Sequence, residues 1–307
     1  MRRFVWALAP VALLLLSSTP ALSMPSTGGV PVRTADPPPA AHAAWTVALY
    51  VDADNDLDRM WRRFDAPELR RLPLDPRINV VALVDHKGRG QIELVRFGGG
   101  TATVLARYPE RNFGSPASLT WFLRKMHTLF PSDRLVVDLW DHGSAWAGIC
   151  WDDTSNDCLT LAELRRALTS GGVAIDLLAC DTCLTADAAF AYDVAQTGVA
   201  DYLVASDEMV PGDGFCYDAM LLPLFTDPAR PTGDVAVAMV DGYQRYYFGI
   251  EFLAPTTLSA VDLARVREMR PALSRWTKAL RAALPAEGPR LALDLRRSPW
   301  AVMTYQV

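Results

Sequence analysis

Residues 173–187 read VAIDLLACDTCLTAD, a nearly continuous apolar run that ends in a polar turn with two cysteines. An apolar run of this length and composition is typical of a strand buried on both faces of a sheet. The segment that follows, LTADAAFAYDVAQT (184–197), has the spacing of a helix. A strand, a turn and a helix in succession indicate one unit of an α/β sheet.

The same alternation extends outward along the chain and predicts the fold class. Further apolar runs have the composition of buried strands: WTVALYV (45–51), INVVALVD (78–85), RLVVDLW (134–140) and DYLVAS (201–206). Helical segments separate them, and the segment 159–172 carries Thr160 and Glu163 in the T-x-x-E arrangement of a capping box. This pattern predicts an α/β fold with a mostly parallel sheet flanked by helices on both faces, an αβα sandwich.

The overall composition limits the possible partners. The chain has 307 residues, of which 50% are hydrophobic and 21% charged, and its formal net charge is −5. These values are typical of a globular protein, and the lack of a basic excess argues against nucleic acid as a partner. Five cysteines are too few for a disulfide scaffold at this length.

Residues 1–23 have the pattern of an export signal peptide. Arg2 and Arg3 precede the apolar run FVWALAPVALLLL, and small residues follow it. The run is shorter than the roughly 20 residues of a membrane-spanning helix. We therefore expect an exported protein, periplasmic or secreted, with no stable membrane span after signal cleavage. Residues 24–44 are rich in proline and alanine and predict a disordered linker.

The ends of three successive predicted strands carry the residues that are suited to chemistry. His142 follows the first of these strands, Cys183 the second, and Asp207 and Glu208 the third. In open parallel sheets, functional groups gather at the carboxyl ends of the strands. A histidine and a cysteine at neighbouring strand ends can form a thiol nucleophile and its base.

The chain has four histidines, and their positions narrow the choice of base. His42 lies in the predicted linker and His127 inside a predicted helix. His142 lies beside a glycine at a strand end and is the favoured base. His86, which follows the strand 78–85, is a weaker alternative.

The two cysteines of the turn, Cys180 and Cys183, admit more than one interpretation. Their C-x-x-C spacing is also that of a thiol–disulfide redox pair, which stays open as an alternative. A zinc site needs four ligands, and the remaining cysteines form no second C-x-x-C pair. Disulfides between Cys150 and Cys158 and between Cys180 and Cys183 also stay open.

Five motifs, in order along the chain, carry a family likeness: WTVALYVDADNDLD (45–58), DHGSAWAGICWDDTSNDCLTLAELRRAL (141–168), IDLLACDTCLTADAAFAYDVA (175–195), YLVASDEMVPGDGFCYD (202–218) and TLSAVDL (257–263). The chain resembles the clostripain-like cysteine peptidases, which are related by fold to caspases and gingipains. The resemblance implies a caspase-like peptidase domain over residues 45–263. We expect residues 264–307 to be a helical extension that completes the same domain.

The resemblance also implies roles for individual residues. His142 matches the family's catalytic histidine and Cys183 its nucleophile, with the backbone N–H groups of Gly143 and Cys183 stabilising the oxyanion. Asp181 matches an acid on the floor of the S1 pocket, the pocket for the residue before the cleaved bond (P1). Either Asp207 or Glu208 is a candidate for a second pocket acid.

The activity that the resemblance implies is that of an exported endopeptidase. It would cleave after Arg or Lys through a thioacyl-enzyme, with a Cys–His dyad and no third residue. Its partners would be proteins or peptides with a basic P1 residue. Two alternatives stay open: a catalytically silent caspase-like module that binds basic peptides, and a C-x-x-C thiol–disulfide oxidoreductase.

This chemistry requires no cofactor, and the sequence assigns no metal ligand. Some members of the family use calcium, and a run of alternating aspartates is a weak candidate for it: Asp52, Asp54, Asp56 and Asp58. The run lacks the glycine and the distal glutamate of an EF-hand loop. We predict instead that these carboxylates cap the helix that follows them.

Overall fold

The computed structural model describes residues 35–250 and 256–297. The expected signal peptide, residues 1–23, and most of the expected linker lie outside the described residues. Among the residues that are described, no helix is both long enough and apolar enough to cross a membrane.

An eight-stranded sheet with a parallel centre forms the middle of the fold. The strands are β1 (Ala43–Ala53), β2 (Ile78–His86), β3 (Gln91–Gly98), β4 (Thr101–Pro109), β5 (Ser132–Trp140), β6 (Ile149–Asp152), β7 (Asp157–Leu159), β8 (Ile175–Asp181), β9 (Ala200–Ala205) and β10 (Ser259–Asp262). The order in the sheet is β10-β9-β8-β5-β1-β2-β3-β4, while β6 and β7 form a separate ribbon. The strands from β9 to β2 pair in parallel, and β3, β4 and β10 pair antiparallel.

Helices cover both faces of this sheet. They are α1 (Asp58–Met60), a π-helical turn (Trp61–Asp65), α2 (Ala66–Arg71), α3 (Pro116–Leu129), α4 (Leu161–Gly171), α5 (Ala188–Thr197), α6 (Tyr217–Thr226), α7 (Thr232–Ile250) and α8 (Leu263–Arg297). The buried side chains of α3, α4, α5 and the start of α8 form one apolar core with the sheet. Those of the segment 58–71, α6 and α7 form a second core on the opposite face. The predicted αβα sandwich is confirmed.

The predicted capping box at the start of α4 is present. The side chain of Thr160 accepts a hydrogen bond from the backbone N–H of Glu163, and the side chain of Glu163 accepts one from the backbone N–H of Thr160. Gly172 ends the helix in the left-handed conformation. The capping predicted for the aspartate run after β1 was wrong, because no side chain caps α1.

The strand register determines which residues lie side by side at the carboxyl edge of the sheet. Asp52 in β1 pairs with Asp85 in β2, and Trp140 in β5 pairs with Asp181 in β8. Side chains alternate between the two faces of a strand. Asp52 and Asp85 therefore face the layer of α3 and α4, whereas Asp181 faces the layer of α6 and α7. Two separate polar regions result, one on each face of the sheet.

The folded domain begins earlier in the chain than the sequence predicted. β1 begins at Ala43, inside the expected linker 24–44, and the backbone N–H of Ala40 donates to the last carbonyl of α3 at 2.8 Å. Asp36 accepts a hydrogen bond from the hydroxyl of Tyr108 at 2.7 Å. Single polar contacts of this kind produce no periodic pattern of apolar residues, so they could not be predicted from the sequence.

At the other end, α8 packs on the sheet through its first turns alone. Leu263 and Val266 are buried, and the described side chains of α8 after Val266 are exposed or half-buried. The expected extension, residues 264–307, is thus helical as far as Arg297, but its buried contribution to the domain ends near its beginning.

Candidate active site

The turn after β8 presents Cys183 at the carboxyl edge of the sheet. The hydroxyl of Thr185 donates to the carbonyl of Thr182 at 3.1 Å, and the two hydroxyl oxygens lie 2.9 Å apart. Leu184 adopts the left-handed conformation with a φ of 61°. Asp187 caps α5 by accepting hydrogen bonds from two N–H groups of its first turn. Together these contacts fix a tight turn between strand and helix, with Cys183 at its tip.

The thiol of Cys183 is half-buried, and its surroundings favour the protonated form. Burial is the main cause of the raised pKa of this thiol, and the charges of Asp181 and Asp141 add to it. The backbone N–H of Val210 donates to Sγ at 3.3 Å and opposes the shift. Because the thiolate is the nucleophile, Cys183 needs a base to become reactive.

His142 reaches the same place from the end of β5. A β-carbon on the next residue, Gly143, would lie 2.9 Å from the backbone nitrogen of Cys183 and closer still to its carbonyl oxygen. Backbone atoms cannot move aside as a flexible side chain can, so only glycine fits at this position. The segment that carries His142 and the turn that carries Cys183 are therefore in direct contact.

A carboxylate for which the sequence predicted no catalytic role lies beside the histidine. Nε2 of His142 lies 2.9 Å from Oδ1 of Asp56, in the turn after β1. When Nε2 carries the proton it donates to this carboxylate, and Nδ1 is then free to accept a proton. The side chain of Asp56 is 74% exposed, so the contact orients the ring only weakly.

The backbone N–H of Gly143 takes no part in the hydrogen bonds of its own bridge. Gly143 pairs antiparallel with Ile149, and the residues on either side make the two flanking bonds of 3.0 and 3.3 Å. In a pair of this type the two central residues exchange no hydrogen bond. The bridge thus leaves this N–H available to a group bound beside Cys183.

His142 and Cys183 line one cleft, with an accessible volume of about 250 Å³. Asp181, Asp65 and Asp141 also line it, and Leu57, Met60 and Trp140 supply apolar wall. Met209 to Gly212 close the side beyond Cys183. The cleft therefore combines a thiol, an imidazole, three acidic residues and apolar surface.

Asp181 is buried and held by a small hydrogen-bond network. Its Oδ2 accepts a bond from the backbone N–H of Phe215 at 2.9 Å and lies 3.1 Å from the hydroxyl of Tyr217. That hydroxyl lies closer to Asp138, at 2.6 Å, and its single proton serves one carboxyl group. Burial and the charge of Asp138 raise the pKa of Asp181 well above its ordinary value. A nearby cation would favour its ionised form.

Asp65 is a further acid of the cleft, next to Asp181, and was not predicted from the sequence. A β-carbon on Gly214 would lie 2.7 Å from Oδ1 of Asp65 and 3.0 Å from Oδ2 of Asp181, so the two carboxyl groups flank this glycine. Asp65 is buried, and neither of its carboxylate oxygens has a hydrogen-bond partner among the described residues. Burial and the charge of Asp181 raise its pKa well above the usual range.

One sequence signal could have found Asp65. It lies four residues after Trp61 and four before Leu69, on the stripe that the segment 58–71 buries. An acid on such a stripe is uncommon unless it has a partner or a role. Asp65 also ends a π-helical turn, a distortion that is frequent at functional sites.

Asp207 and Glu208, the sequence candidates for a second pocket acid, lie outside the residues that line the cleft. Their backbone N–H groups donate to Oγ1 of Thr257 at 3.0 and 3.1 Å, which fixes the turn after β9. Asp207 is exposed, and the charges that act on it are those of Asp187 and Glu208. The acid whose carboxyl group lies with that of Asp181 against Gly214 is Asp65.

The remaining cysteines do not share the cleft with Cys183. Cys180 is fully buried among the side chains of the α3 and α4 layer, on the other face of β8 from Asp181. All five cysteines are free thiols in the structure, including Cys150 and Cys158. In the ribbon, Cys158 pairs with Trp151 rather than with Cys150.

His86, the weaker sequence candidate for the base, is paired elsewhere. It is buried, and its Nδ1 lies 2.6 Å from Oδ1 of Asp58. Burial lowers its pKa. His86 is not among the residues that line the cleft, which leaves His142 as the imidazole beside Cys183.

Two solved structures have the same fold as this chain. A secreted C11 cysteine protease from Bacteroides thetaiotaomicron, in complex with an irreversible peptide inhibitor, aligns with a TM-score of 0.62 over 73% of this chain and 67% of that one, at 21% identity. An inactive zymogen C11 protease from Parabacteroides distasonis aligns with a TM-score of 0.59 over 74% and 64%, at 22% identity. At these identities the alignments show a shared fold.

The sequence comparisons identify the family. Clostripain from Hathewaya histolytica is 31% identical over an alignment of 215 positions, and the match covers 56% of this chain and 40% of the relative. The match thus spans less than half the length of that protein. The sequence model of the clostripain family, peptidase family C11, matches residues 49–293. Since this match takes in most of the chain and the fold agrees, the chain belongs to the clostripain family.

Proposed function

We propose that this protein is an exported cysteine endopeptidase that cleaves peptide bonds after Arg or Lys. The observation that carries the proposal is the cleft itself, in which Cys183, His142 and two buried acids lie together. Membership of a peptidase family supports the chemistry. The two acids support the choice of a basic P1 residue.

In the first half of the reaction, His142 takes the proton of the Cys183 thiol. The thiolate attacks the carbonyl carbon of the scissile bond, and a C–S bond forms as the C=O double bond becomes a single bond to an oxyanion. The oxyanion then re-forms the carbonyl, the C–N bond breaks, and His142 returns its proton to the leaving amine. The product at this stage is a thioacyl-enzyme and a free amine.

In the second half, water replaces the amine. His142 accepts a proton from water as its oxygen bonds to the acyl carbon. The C–S bond then breaks to release the carboxylic acid, and His142 returns the proton to the sulfur of Cys183. The N–H groups of Gly143 and Cys183 stabilise the negative oxygen in both halves. The contact between Gly143 and the Cys183 backbone supports this role, because it holds the two N–H groups close together.

The acids account for a basic P1 residue. A guanidinium or ammonium group beside Asp181 and Asp65 takes the place of the protons that burial favours on these carboxyl groups. The aliphatic stem of Arg or Lys can pack on Leu57, Met60 and Trp140. A neutral P1 side chain leaves the buried carboxyl groups without a counter-charge, which disfavours its binding.

Export rests on the amino-terminal sequence and on one relative. Residues 1–23 have the signal-peptide pattern, and the Bacteroides thetaiotaomicron relative is a secreted protease. Expression of the full chain in a bacterial host, followed by cell fractionation and amino-terminal sequencing, tests this part. We expect a mature form outside the cytosol that begins close to residue 24; retention of the intact chain in the cytosol would contradict export.

The activity is tested with fluorogenic peptides that differ at P1 alone: Arg, Lys, Gln and Leu. We expect turnover of the Arg and Lys peptides and little of the others. Cys183→Ala should lose activity by about 1,000-fold or more, whereas Cys180→Ala, a matched substitution of the buried cysteine, should retain it.

The same variants distinguish the alternatives. Peptide binding without turnover in the unmodified protein would favour a silent binding module. Insulin-reductase activity that depends equally on Cys180 and Cys183 would favour an oxidoreductase. Either result would refute the proposed endopeptidase.

A further inference from the structure

The exposed part of α8 carries a row of apolar side chains, which we call the apolar stripe. Its members are Met269, Leu273, Trp276, Leu280 and Leu284. They follow one another at intervals of three or four residues, which places them along one side of the helix. Four of them are between 46% and 60% exposed, and Leu280 is half-buried. An apolar row of this length normally packs against a partner.

The apolar stripe has no cover among the described residues. α8 meets the rest of the domain through its first turns, where Leu263 and Val266 are buried. There the guanidinium of Arg267 donates to the carbonyl of Ala195 in α5 at 3.2 Å. From Arg267 to Arg290 every side chain is exposed or half-buried. The stripe therefore begins where the packing of α8 on the domain ends.

The remaining surface of this part of α8 is basic. Five basic residues lie beside or opposite the apolar stripe in a regular helix: Arg267, Arg270, Arg275, Lys278 and Arg281. Between residues 266 and 284 a single acidic residue accompanies them, Glu268. The whole chain has a net charge of −5, so this helix differs in sign from the protein that carries it.

Most of these basic side chains are available to an anionic partner. Arg270, Arg275, Lys278 and Arg281 are exposed, and no ion pair reaches them from the part of the chain that the structure describes. The acid at the start of the helix, Asp262, pairs instead with Arg265 at 3.4 Å. A partner that fits this segment therefore offers both negative charge and apolar surface.

An anionic lipid surface meets both requirements. A helix with a basic side and an apolar side that includes tryptophan is typical of helices that lie in the interface of a membrane. A nucleic acid would take the positive charges but leave the apolar stripe uncovered. A second copy would cover the stripe but bring the same basic residues against it. In addition, Pro271 and Pro285 interrupt the regular helix that a coiled coil of two copies needs.

We propose that α8 binds the surface of an anionic membrane, with the apolar stripe among the lipids and the basic residues at the headgroups. The helix lies along the surface, because the charges on the rest of its circumference keep it at the interface. The contact depends on salt, since ions screen the attraction between basic residues and anionic headgroups. It holds the domain that carries Cys183 at a membrane, and it requires no peptidase activity.

The test uses the mature chain, which lacks residues 1–23 because their own apolar run would bind lipid. It carries Cys183→Ala to prevent self-digestion. The protein is mixed with vesicles of phosphatidylcholine, or of equal parts phosphatidylcholine and phosphatidylglycerol, and the bound fraction is measured by flotation. We expect binding to the anionic vesicles at low salt that falls as salt is added. Binding to phosphatidylcholine alone should be weaker by at least about tenfold.

Two double variants test the two sides of α8. Leu273→Ser with Trp276→Ser should weaken binding by at least about tenfold, because two apolar side chains no longer leave water. Lys278→Gln with Arg281→Gln should weaken binding to the anionic vesicles by about 20-fold, since each basic residue near such a surface contributes roughly fivefold. All four side chains are exposed, so both variants should keep the circular dichroism spectrum of the parent.

Matched controls come from other helices. Arg165→Gln with Arg166→Gln removes two exposed charges from α4, and Leu222→Ser removes an exposed leucine from α6. Both controls should bind vesicles as the parent does. Trp276→Phe gives a direct readout of the contact. It should still bind, but it should lose most of the shift of tryptophan emission to shorter wavelength that the parent shows with anionic vesicles.

Three results would overturn the proposal. The first is a parent that does not bind anionic vesicles at low salt. The second is equal binding by the parent and both α8 double variants. The third is self-association of the parent in sedimentation velocity without vesicles that Leu273→Ser with Trp276→Ser abolishes, because a second copy then covers the apolar stripe.

Discussion

Asp65 and Asp181 both lie against Gly214, although these two acids are 116 positions apart in the sequence. One comes from a helix that packs on the sheet and the other from the end of a central strand. Both carboxyl groups are buried in the wall of the cleft that holds Cys183. Their juxtaposition supports the proposed preference for a basic P1 side chain.

Removing either charge should change the choice of substrate. Asp181→Asn is expected to lower kcat/KM for an Arg peptide by about 100- to 1,000-fold, since it removes the acid whose ionised form the N–H of Phe215 supports. Asp65→Asn should lower it by about tenfold, because Asp181 with its hydrogen-bond donor then remains. Peptides with a neutral P1 residue should lose much less in both variants. Asp207→Asn, outside the cleft, is the control; an equal loss there would contradict the assignment.

Gly143→Ala should disable the active site through backbone displacement alone. A methyl group at this position meets the backbone of Cys183, so the turn or the His142 segment must move. A shift of about 1 Å can cost about 100-fold in rate, and we expect at least this loss in kcat/KM. Gly288→Ala, where a β-carbon meets open space, provides the matched control. Activity within about threefold of the parent would show that the contact is not needed.

The strand ends could be predicted from the sequence, because buried strands are recognisable as continuous apolar runs. Long apolar runs located β5 and β8, and the parallel order then placed His142 and Cys183 together. Asp65 and Asp56 could not be placed in the same way. Each lies on a different element, and its distance from a partner depends on how helices and loops pack on the sheet.

The position of Asp207 and Glu208 outside the residues that line the cleft has the same origin. These residues do follow a parallel strand, as His142 and Cys183 do. The turn after that strand is fixed by Thr257, which lies some fifty residues further along the chain. The local sequence does not indicate this contact, so the direction of the turn could not be predicted from it.

The contact between Asp56 and His142 should contribute modestly to activity. Asp56→Ala is expected to lower kcat/KM by about two- to fivefold, the range for an exposed charge pair. His142→Ala should lower it by about 1,000-fold or more. The comparison is made with an Arg peptide at several salt concentrations, because an exposed pair is screened by salt. A loss of more than about 100-fold in Asp56→Ala would mean that Asp56 is a full third member of the catalytic group.

Glu68, on the buried side of α2, should make stability fall as pH rises. Burial raises the pKa of this side chain to about 7, against an ordinary value of 4.5, and the charge of Asp218 adds to the shift. Between these two values the folded state holds a proton that the unfolded state has released. The free energy of unfolding contributed by this group is therefore full below about pH 4.5 and is lost progressively towards pH 7.

The size of this effect follows from the pKa shift of Glu68. For this residue, which is 4% exposed, the shift corresponds to at most about 3 kcal/mol in the free energy of unfolding. Glu68→Gln keeps the shape and removes the titration, so its urea midpoint should fall less than that of the parent between pH 4.5 and 7. The parent and the Glu68→Gln variant both carry Cys183→Ala for this measurement. Glu163→Gln, at the cap of α4, is the control that tests whether the loss of any carboxylate has the same effect. Parallel pH profiles for the parent and Glu68→Gln would show that Glu68 titrates normally in the folded protein.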